Sequence, residues 1–411
     1  MTGRQNGSSF TRRHFLARSA AIGCSLAASP LLTPVVLAAA PWERRLVVII
    51  LRGGMDGLDA VRPLGAPGYV RLRPTLAAGA TADSHDLDGY FAAHRALGPL
   101  MELWQREELG FVHAVATPYR DKRSHFDGQD LLEAGTATLD GRRDGWLNRA
   151  LQLLPGTESR TAWAIGHGEM KVLEGPAPVA DWAPDAGVAL SPQAELLAGL
   201  VMAEDPLFRA ALSEALALSR ADAAHGADRG EDGGESMAMS GTGGGRKAHL
   251  EVARFVGRTL RDEGRIAAFS LNGWDSHRRQ PAVIGAALGR LADTILTLRD
   301  TMGPAAWART AILAMSEFGR TVAENGTGGT DHGTGGVLVL AGGAIRGGRV
   351  LGRWPGLGEA DLYDRRDLMP TSDLRAHAAW VLRGVTGLDR AALEGTVFPG
   401  LDMGTDPGLL R

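Results

Sequence analysis

An α/β fold, doubly wound around a largely parallel sheet sandwiched by helices, is predicted for this 411-residue chain by two observations. Short apolar runs rich in β-branched residues alternate with segments whose apolar positions recur every three or four residues, and each run ends in glycine or a polar cluster. The runs cover residues 45–51, 110–115, 161–165, 266–271, 310–315 and 336–340. They are apolar almost throughout, as in strands covered on both faces. The helix-period segments cover 92–107, 206–223, 248–263, 282–301 and 373–385. In a sheet of this kind ligands gather beyond the carboxyl ends of the strands, so chemistry is expected in the loops that follow them.

The first forty residues carry Arg4, Arg12, Arg13 and Arg18 but no acid, then a weakly apolar stretch from Ala20 to Leu37, then Ala38-Ala39-Ala40. That order, with Thr11-Arg12-Arg13-His14-Phe15-Leu16 at its head, reads as a twin-arginine export signal over residues 1–40. The expectation is a periplasmic or secreted protein that meets the twin-arginine translocase and crosses already folded. Ala21-Ile22-Gly23-Cys24 faintly resembles a lipoprotein box, but the apolar run before it is short.

Removing the four arginines moves the formal charge from −3 to −7, which argues against nucleic acid as a partner. Cys24 is the only cysteine, so the mature chain forms no internal disulfide and relies on packing. The later sequence has no run of about 18 apolar residues, and no stable membrane span is expected. The segment 225–247, rich in Gly, Ser and charge, reads as a disordered insertion in a single domain spanning 41–411.

Four polar clusters follow strands. Arg52-Gly53-Gly54-Met55-Asp56-Gly57 leaves Asp56 at the mouth of the sheet. The run from Arg120 to Gln129 gathers Arg120, Lys122, Arg123, Ser124, His125 and two carboxylates. Asn272-Gly273-Trp274-Asp275-Ser276-His277 sets a carboxylate and an imidazole two residues apart, and Ser316-Glu317-Phe318-Gly319-Arg320 leads through a glycine-rich turn to Asp331-His332. Oxygen donors alone would favour magnesium or calcium; the imidazoles pull the expectation toward zinc or manganese. Such an ion polarises an ester, which makes Ser124 a candidate nucleophile, with Arg123 and Arg320 neutralising an anionic substrate. Each cluster also has a plain reading: Asp56 and Ser124 as helix caps, Asp275, His277 and Asp331 as turn residues.

The strings LRGGMDGL, RSHFDGQ, NGWDSH, SEFGRT and TDHG, in that order behind the signal, resemble the bacterial domain-of-unknown-function family numbered 1501. That family looks like a branch of the alkaline phosphatase and sulfatase superfamily, which implies an alkaline phosphatase-like fold with one or two divalent ions above the sheet. The resemblance implies Asp56 as the first metal ligand, Ser124 as nucleophile and ligand, and Asp275 with His277 as an Asp–His pair. Glu317 stands where the superfamily has an aspartate followed by histidine, with Phe318 in the histidine position, and His332 matches the last ligand with Asp331 as ligand or support. The function it implies is a metal-dependent hydrolase acting on phosphate or sulfate esters, small or polymeric. The alternatives are a non-catalytic envelope protein that keeps the fold, or a phosphotransferase or isomerase.

Export is expected to depend on the paired arginines. Changing Arg12 and Arg13 to Lys leaves unprocessed precursor in the cytoplasm, as read by fractionation and immunoblot; normal processing of that variant contradicts the assignment.

Overall fold

The computed structural model describes residues 42–78, 80, 82–120, 123–139, 143–166, 170–184 and 248–411. The expected signal, the helix at 206–223, the insertion at 225–247 and the cation Lys122 lie outside the described residues. All six expected strands are present: β1 (Arg45–Arg52), β2 (Leu109–Ala116), β3 (Ala162–Ile165), β5 (Ile266–Asn272), β6 (Thr310–Met315) and β7 (Gly336–Ala341). Three short strands join them, β4 (Ala180–Trp182), β8 (Val350–Leu351) and β9 (Ser372–Asp373). The nine form one sheet in the order β8-β2-β7-β6-β1-β5-β3-β4, with β9 also beside β2. Strands from both sides of residues 185–247 share it, since β3 pairs with β5.

The fold is therefore α/β, with a mixed, mostly parallel central sheet flanked by helices. Every pairing is parallel except those of β7, which runs against β2 and β6. This single reversal matters: the chain entering β7 lies at the edge where its neighbours end.

Alternation along β1 assigns its side chains to two cores. Val47, Ile49 and Leu51 pack with Val256 and Leu260 of α3 (Ala248–Arg261) and with Ile284, Leu288 and Leu291 of α4 (Gln280–Trp307). Leu46, Val48 and Ile50 pack on the opposite face with Trp146, Leu147 and Leu151 of α2 (Trp146–Leu153) and with Val381 and Leu382 of α5 (Leu374–Thr386). Burial on both sides explains why β1 reads as an unbroken apolar run.

Two expectations change. Residues 92–107 are not one helix: Ala92–His94 is a strand, Arg95–Leu100 a 3₁₀ segment, and only Met101–Gln105 is α-helical. Pro99 lacks the N–H that a continuous helix needs, and Gly98 lies where a Cβ would meet His85 Nε2 at 2.6 Å. Helix α4 runs past its expected end to Trp307, bending at Gly303 (φ +73°) before Pro304. By length and composition it is long and apolar enough to cross a bilayer, although Arg290, Asp293 and Arg299 interrupt its apolar run; here it buries Ile284, Leu288, Leu291 and Ile295 in the core.

His113 in β2 is buried with its neutral form satisfied: Nε2 donates to the Val61 carbonyl at 2.9 Å and Nδ1 accepts from Ala114 N at 3.0 Å. Burial pushes its pKa down to about 4, and that of His377 likewise. Because the folded values lie below that of the unfolded chain, this stability is complete above a pH of about 6.5 and is lost as pH falls toward about 4. Each imidazole contributes up to about 3 kcal/mol. Urea titrations between pH 7 and 4.5 should show falling stability, with a shallower slope for His113→Gln, whose amide keeps a donor without titrating; equal slopes would contradict this.

Candidate metal centre

Strand register assembles the site. Arg52 lies opposite Asn272 and Ile50 opposite Met315, so the loops after β1, β5 and β6 leave the sheet side by side. The reversed β7 brings the preceding residues to the same edge, and Arg320 bridges His332 in antiparallel fashion. The turn after β1 passes so close to the β5 loop that a Cβ on Gly53 (φ +125°) would lie 2.6 Å from Asp275 N.

Helix α1 (His125–Ala134) delivers a fourth group. Ser124 is its N-cap: the hydroxyl accepts from Asp127 N at 3.4 Å, while Ser124 N donates to Tyr119 Oη at 2.7 Å. The next residue, His125, turns toward the loops from β5 and β6. Expected from sequence as a catalytic side chain, it groups instead with the metal-ligating candidates Asp275 and His332, each offering a donor atom within 4.8 Å of the others.

Three imidazoles share one arrangement. Nδ1 of His125 donates to Glu317 Oε1 at 2.8 Å, Nδ1 of His277 to Asp331 Oδ1 at 3.0 Å, and Nδ1 of His332 to the Arg123 carbonyl at 2.9 Å. These partners assign the tautomers: each neutral ring carries its proton on Nδ1 and presents a lone pair at Nε2. The Nε2 atoms turn toward Asp275, that of His277 at 3.2 Å and that of His332 at 3.6 Å from Oδ1, and that of His125 at 3.6 Å from Oδ2. Nε2 of His277 and His332 are 2.9 Å apart, while Nε2 of His125 is buried with no hydrogen-bond partner. Lone pairs facing one another and a carboxylate repel unless a cation lies among them. Two imidazole nitrogens each about 2.1 Å from one ion sit about 3 to 3.4 Å apart; His277 and His332 come close to that spacing, and His125, Asp275 and His332 form the group whose donor atoms all lie within 4.8 Å of one another.

Supporting charges act in the same direction. Burial would raise the Glu317 carboxyl, but hydrogen bonds led by that from His125, with Gln129 and Ser316 adding theirs, hold it below the usual range. Burial opposes ionisation of Asp275 too, and the Arg320 hydrogen bond and charge outweigh it. The Glu317 hydrogen bond raises the His125 pKa, whereas burial and the nearby Arg320 charge lower that of His332.

The remaining expected residues have other places. Asp56 is fully buried and apart from this network: Oδ1 accepts from Leu58 N and Asp59 N at 3.0 and 3.2 Å, and Oδ2 takes Arg73 at 2.8 Å and Gln280 at 2.7 Å. Both its oxygens are engaged, so it is a cap and an ion-pair partner and not a ligand. Glu317 is likewise enclosed: besides His125, Oε1 accepts from Gly53 N and Gln129, and Oε2 from Ser316, which makes it the orienting partner of an imidazole. Asp331 orients His277 in the same way. Arg320 is 1% exposed and donates to the Gly53, Gly54, Trp274 and Thr330 carbonyls and to Asp275 Oδ1, leaving nothing to offer a substrate. Arg123 acts through its carbonyl, its side chain lying exposed. Ser124 makes its hydrogen bonds to Tyr119 and Asp127 and stands beside the imidazoles only as the chain neighbour of His125. Phe318 is an apolar wall stacked on His125 at 5.1 Å and tilted against His332 at 4.9 Å.

Sequence reading overlooked Gln129, Asn325 and Arg73. Gln129 was legible, since it lies one helical turn after His125 and therefore on the same face of α1. Asn325, which donates to Asp331 and to the His277 carbonyl, and Arg73, which pairs with Asp56, come from turns with no periodicity to read.

The two enclosed carboxylates, Glu317 and Asp56, should separate under mutation. Glu317→Gln is expected to weaken metal binding about 10- to 100-fold by loosening His125. Asp56→Ala should leave metal stoichiometry unchanged but cost about 3–5 kcal/mol in urea unfolding, because Arg73 then stays buried and unpaired. Elemental analysis of both variants checks this, and loss of metal from folded Asp56→Ala would overturn the separation.

No functionally curated protein matches the chain. One solved chain that it resembles is that of Ps i-CgsB in complex with k-i-k-neocarrahexaose, at 10% identity, covering 86% of this chain and 75% of that one, with a TM-score of 0.36. The family described as protein of unknown function (DUF1501) matches residues 113–392, which include the RSHFDGQ, NGWDSH, SEFGRT and TDHG segments, and the chain belongs to that family.

Proposed function

We propose that the protein is an exported, metal-dependent hydrolase of phosphate or sulfate esters, a branch of the alkaline phosphatase and sulfatase superfamily. The observation that supports this most is that the Nε2 atoms of three imidazoles lie 3.2 to 3.6 Å from the Asp275 carboxylate, each ring held by an oxygen acceptor behind it. That ligand-plus-orienting-partner pattern is how proteins hold catalytic transition metals. Three imidazoles with one carboxylate suit zinc or manganese better than magnesium or calcium. One ion fits here; Asp56, expected at a second position, is committed to Arg73 and Gln280.

The bound ion would polarise the ester and stabilise charge on its oxygens. The protein's own groups bind and orient. His125, Asp275 and His332 would hold the ion, with His277 beside them; Glu317, Asp331 and the Arg123 carbonyl fix the rings; Phe318 excludes water from their inner side. Asp275 and His277 are about half exposed in their side chains, which leaves the outer side open to substrate. Ser124, half-buried at the start of α1, is the candidate nucleophile: its oxygen accepts from Asp127 N only at 3.4 Å, and its own proton remains to be given up.

Protein purified without chelator should contain zinc or manganese and hydrolyse an aryl phosphate or aryl sulfate. Ser124→Ala should abolish turnover while metal content is kept, and His277→Ala with His332→Ala should lose both. Full metal in that double variant rules out the ligands. Metal without turnover of either ester favours the non-catalytic envelope reading, and full activity in Ser124→Ala assigns the attack to water.

A further inference from the structure

We propose that the cavity between Arg120 and Arg375 binds a singly charged oxyanion, at a site separate from the histidine cluster. The cavity, about 470 Å³, lies at the carboxyl end of β2 against the start of α5 and is bounded by Thr117, Arg120, Thr371, Ser372, Asp373 and Arg375.

Arg375 is 5% exposed. Its Nε and Nη2 engage Asp373 at 3.2 and 2.7 Å, and Nη1 is buried with no hydrogen-bond partner. A guanidinium cannot lose its proton, so a buried donor left unfilled calls for an acceptor. Asp373 is not free to supply one, since Oδ1 also accepts from Arg375 N as the cap of α5.

Arg120 faces the same space half-buried. Its Nη1 donates to the Thr117 and Tyr119 carbonyls and its guanidinium lies 5.8 Å over the Tyr363 ring, with Nε and Nη2 unpaired among the described residues. Two guanidinium groups against one carboxylate leave a net charge of about +1 in the described lining, which matches one negative charge. The N-terminus of the 13-residue helix α5 points the same way. A carboxylate, a sulfate monoester and a phosphodiester share the required chemistry: one charge spread over two or more oxygens that a planar guanidinium can meet.

The cavity adjoins the candidate metal centre without sharing its groups. Thr117 Oγ1 donates to the Glu317 carbonyl at 3.2 Å, and the loop from Thr117 leads to Ser124 and His125. Occupancy therefore needs no metal, and its failure would leave the hydrolase reading untouched.

The test is calorimetric titration of the full chain with acetate, methyl sulfate and dimethyl phosphate, at constant ionic strength balanced with chloride. At least one probe should bind saturably, at least tenfold more weakly to Arg375→Gln and to Arg120→Gln and equally well to His332→Ala. The three probes distinguish a carboxylate from a sulfate ester and a phosphodiester. Arg375→Gln could fail to fold, which circular dichroism reveals; Arg120→Gln, altered at a half-exposed side chain, then decides alone. Absence of saturation with every probe overturns the proposal, as does binding that survives both arginine changes or disappears only in His332→Ala.

Discussion

The buried guanidinium of Arg320 is the constraint on which the site depends. It leaves the loop after β6 and donates to carbonyls of the turn after β1, the loop after β5 and the turn before β7, then to the Asp275 carboxylate. Backbone oxygens of three loops would otherwise be buried beyond the sheet without partners, at a cost of about 1–3 kcal/mol each. One side chain thus satisfies the loops that carry the cluster and fixes Asp275, the group toward which all three imidazoles turn. The same engagement removes Arg320 from substrate binding.

A second buried network performs a comparable task from another side. Asp56 receives Arg73, Gln280 and two backbone N–H groups, and Gln280 Oε1 in turn accepts from Ser276 and Thr330. Ser276 sits between Asp275 and His277, and Thr330 directly precedes Asp331. The network holds the backbone beneath the imidazoles while contributing no donor atom to them. Of the carboxylates in the motifs, those that end up fully enclosed, Asp56 and Glu317, position other groups; Asp275 and Asp331 are about half exposed, and of these two Asp275 is the one toward which the Nε2 atoms turn.

Phe318 illustrates the same division. The superfamily proposed for the chain has a histidine at this position; here a phenyl ring packs flat against His125 and against Tyr119 and leans on His332. Gly54 and Gly128 are the residues that make room for it: a Cβ on Gly54 would lie 2.6 Å from the ring, and one on Gly128 3.1 Å from it. An apolar wall here restricts the rotation of two imidazoles and offers no donor atom on that side.

The sequence by itself determined the elements and the edge at which they meet. Apolar runs covered on both faces can only be interior strands, and polar motifs following such strands must collect at their carboxyl ends, so β1, β5, β6 and the grouping of Asp275, His277 and His332 were legible from residue pattern. Tertiary structure decided which polar side chain faces which. Asp56, Ser124 and Arg320 look chemically equivalent to functional residues in the chain, and only burial shows Asp56 and Arg320 spent on backbone and ion-pair partners while His125 turns inward. The reversal of β7, which returns His332 to the site, and the exchange of a helix at 92–107 for a strand and a 3₁₀ segment also depend on long-range packing. A hydrogen-bond acceptor brought from 192 residues away, as Glu317 is to His125, leaves no periodic trace in sequence.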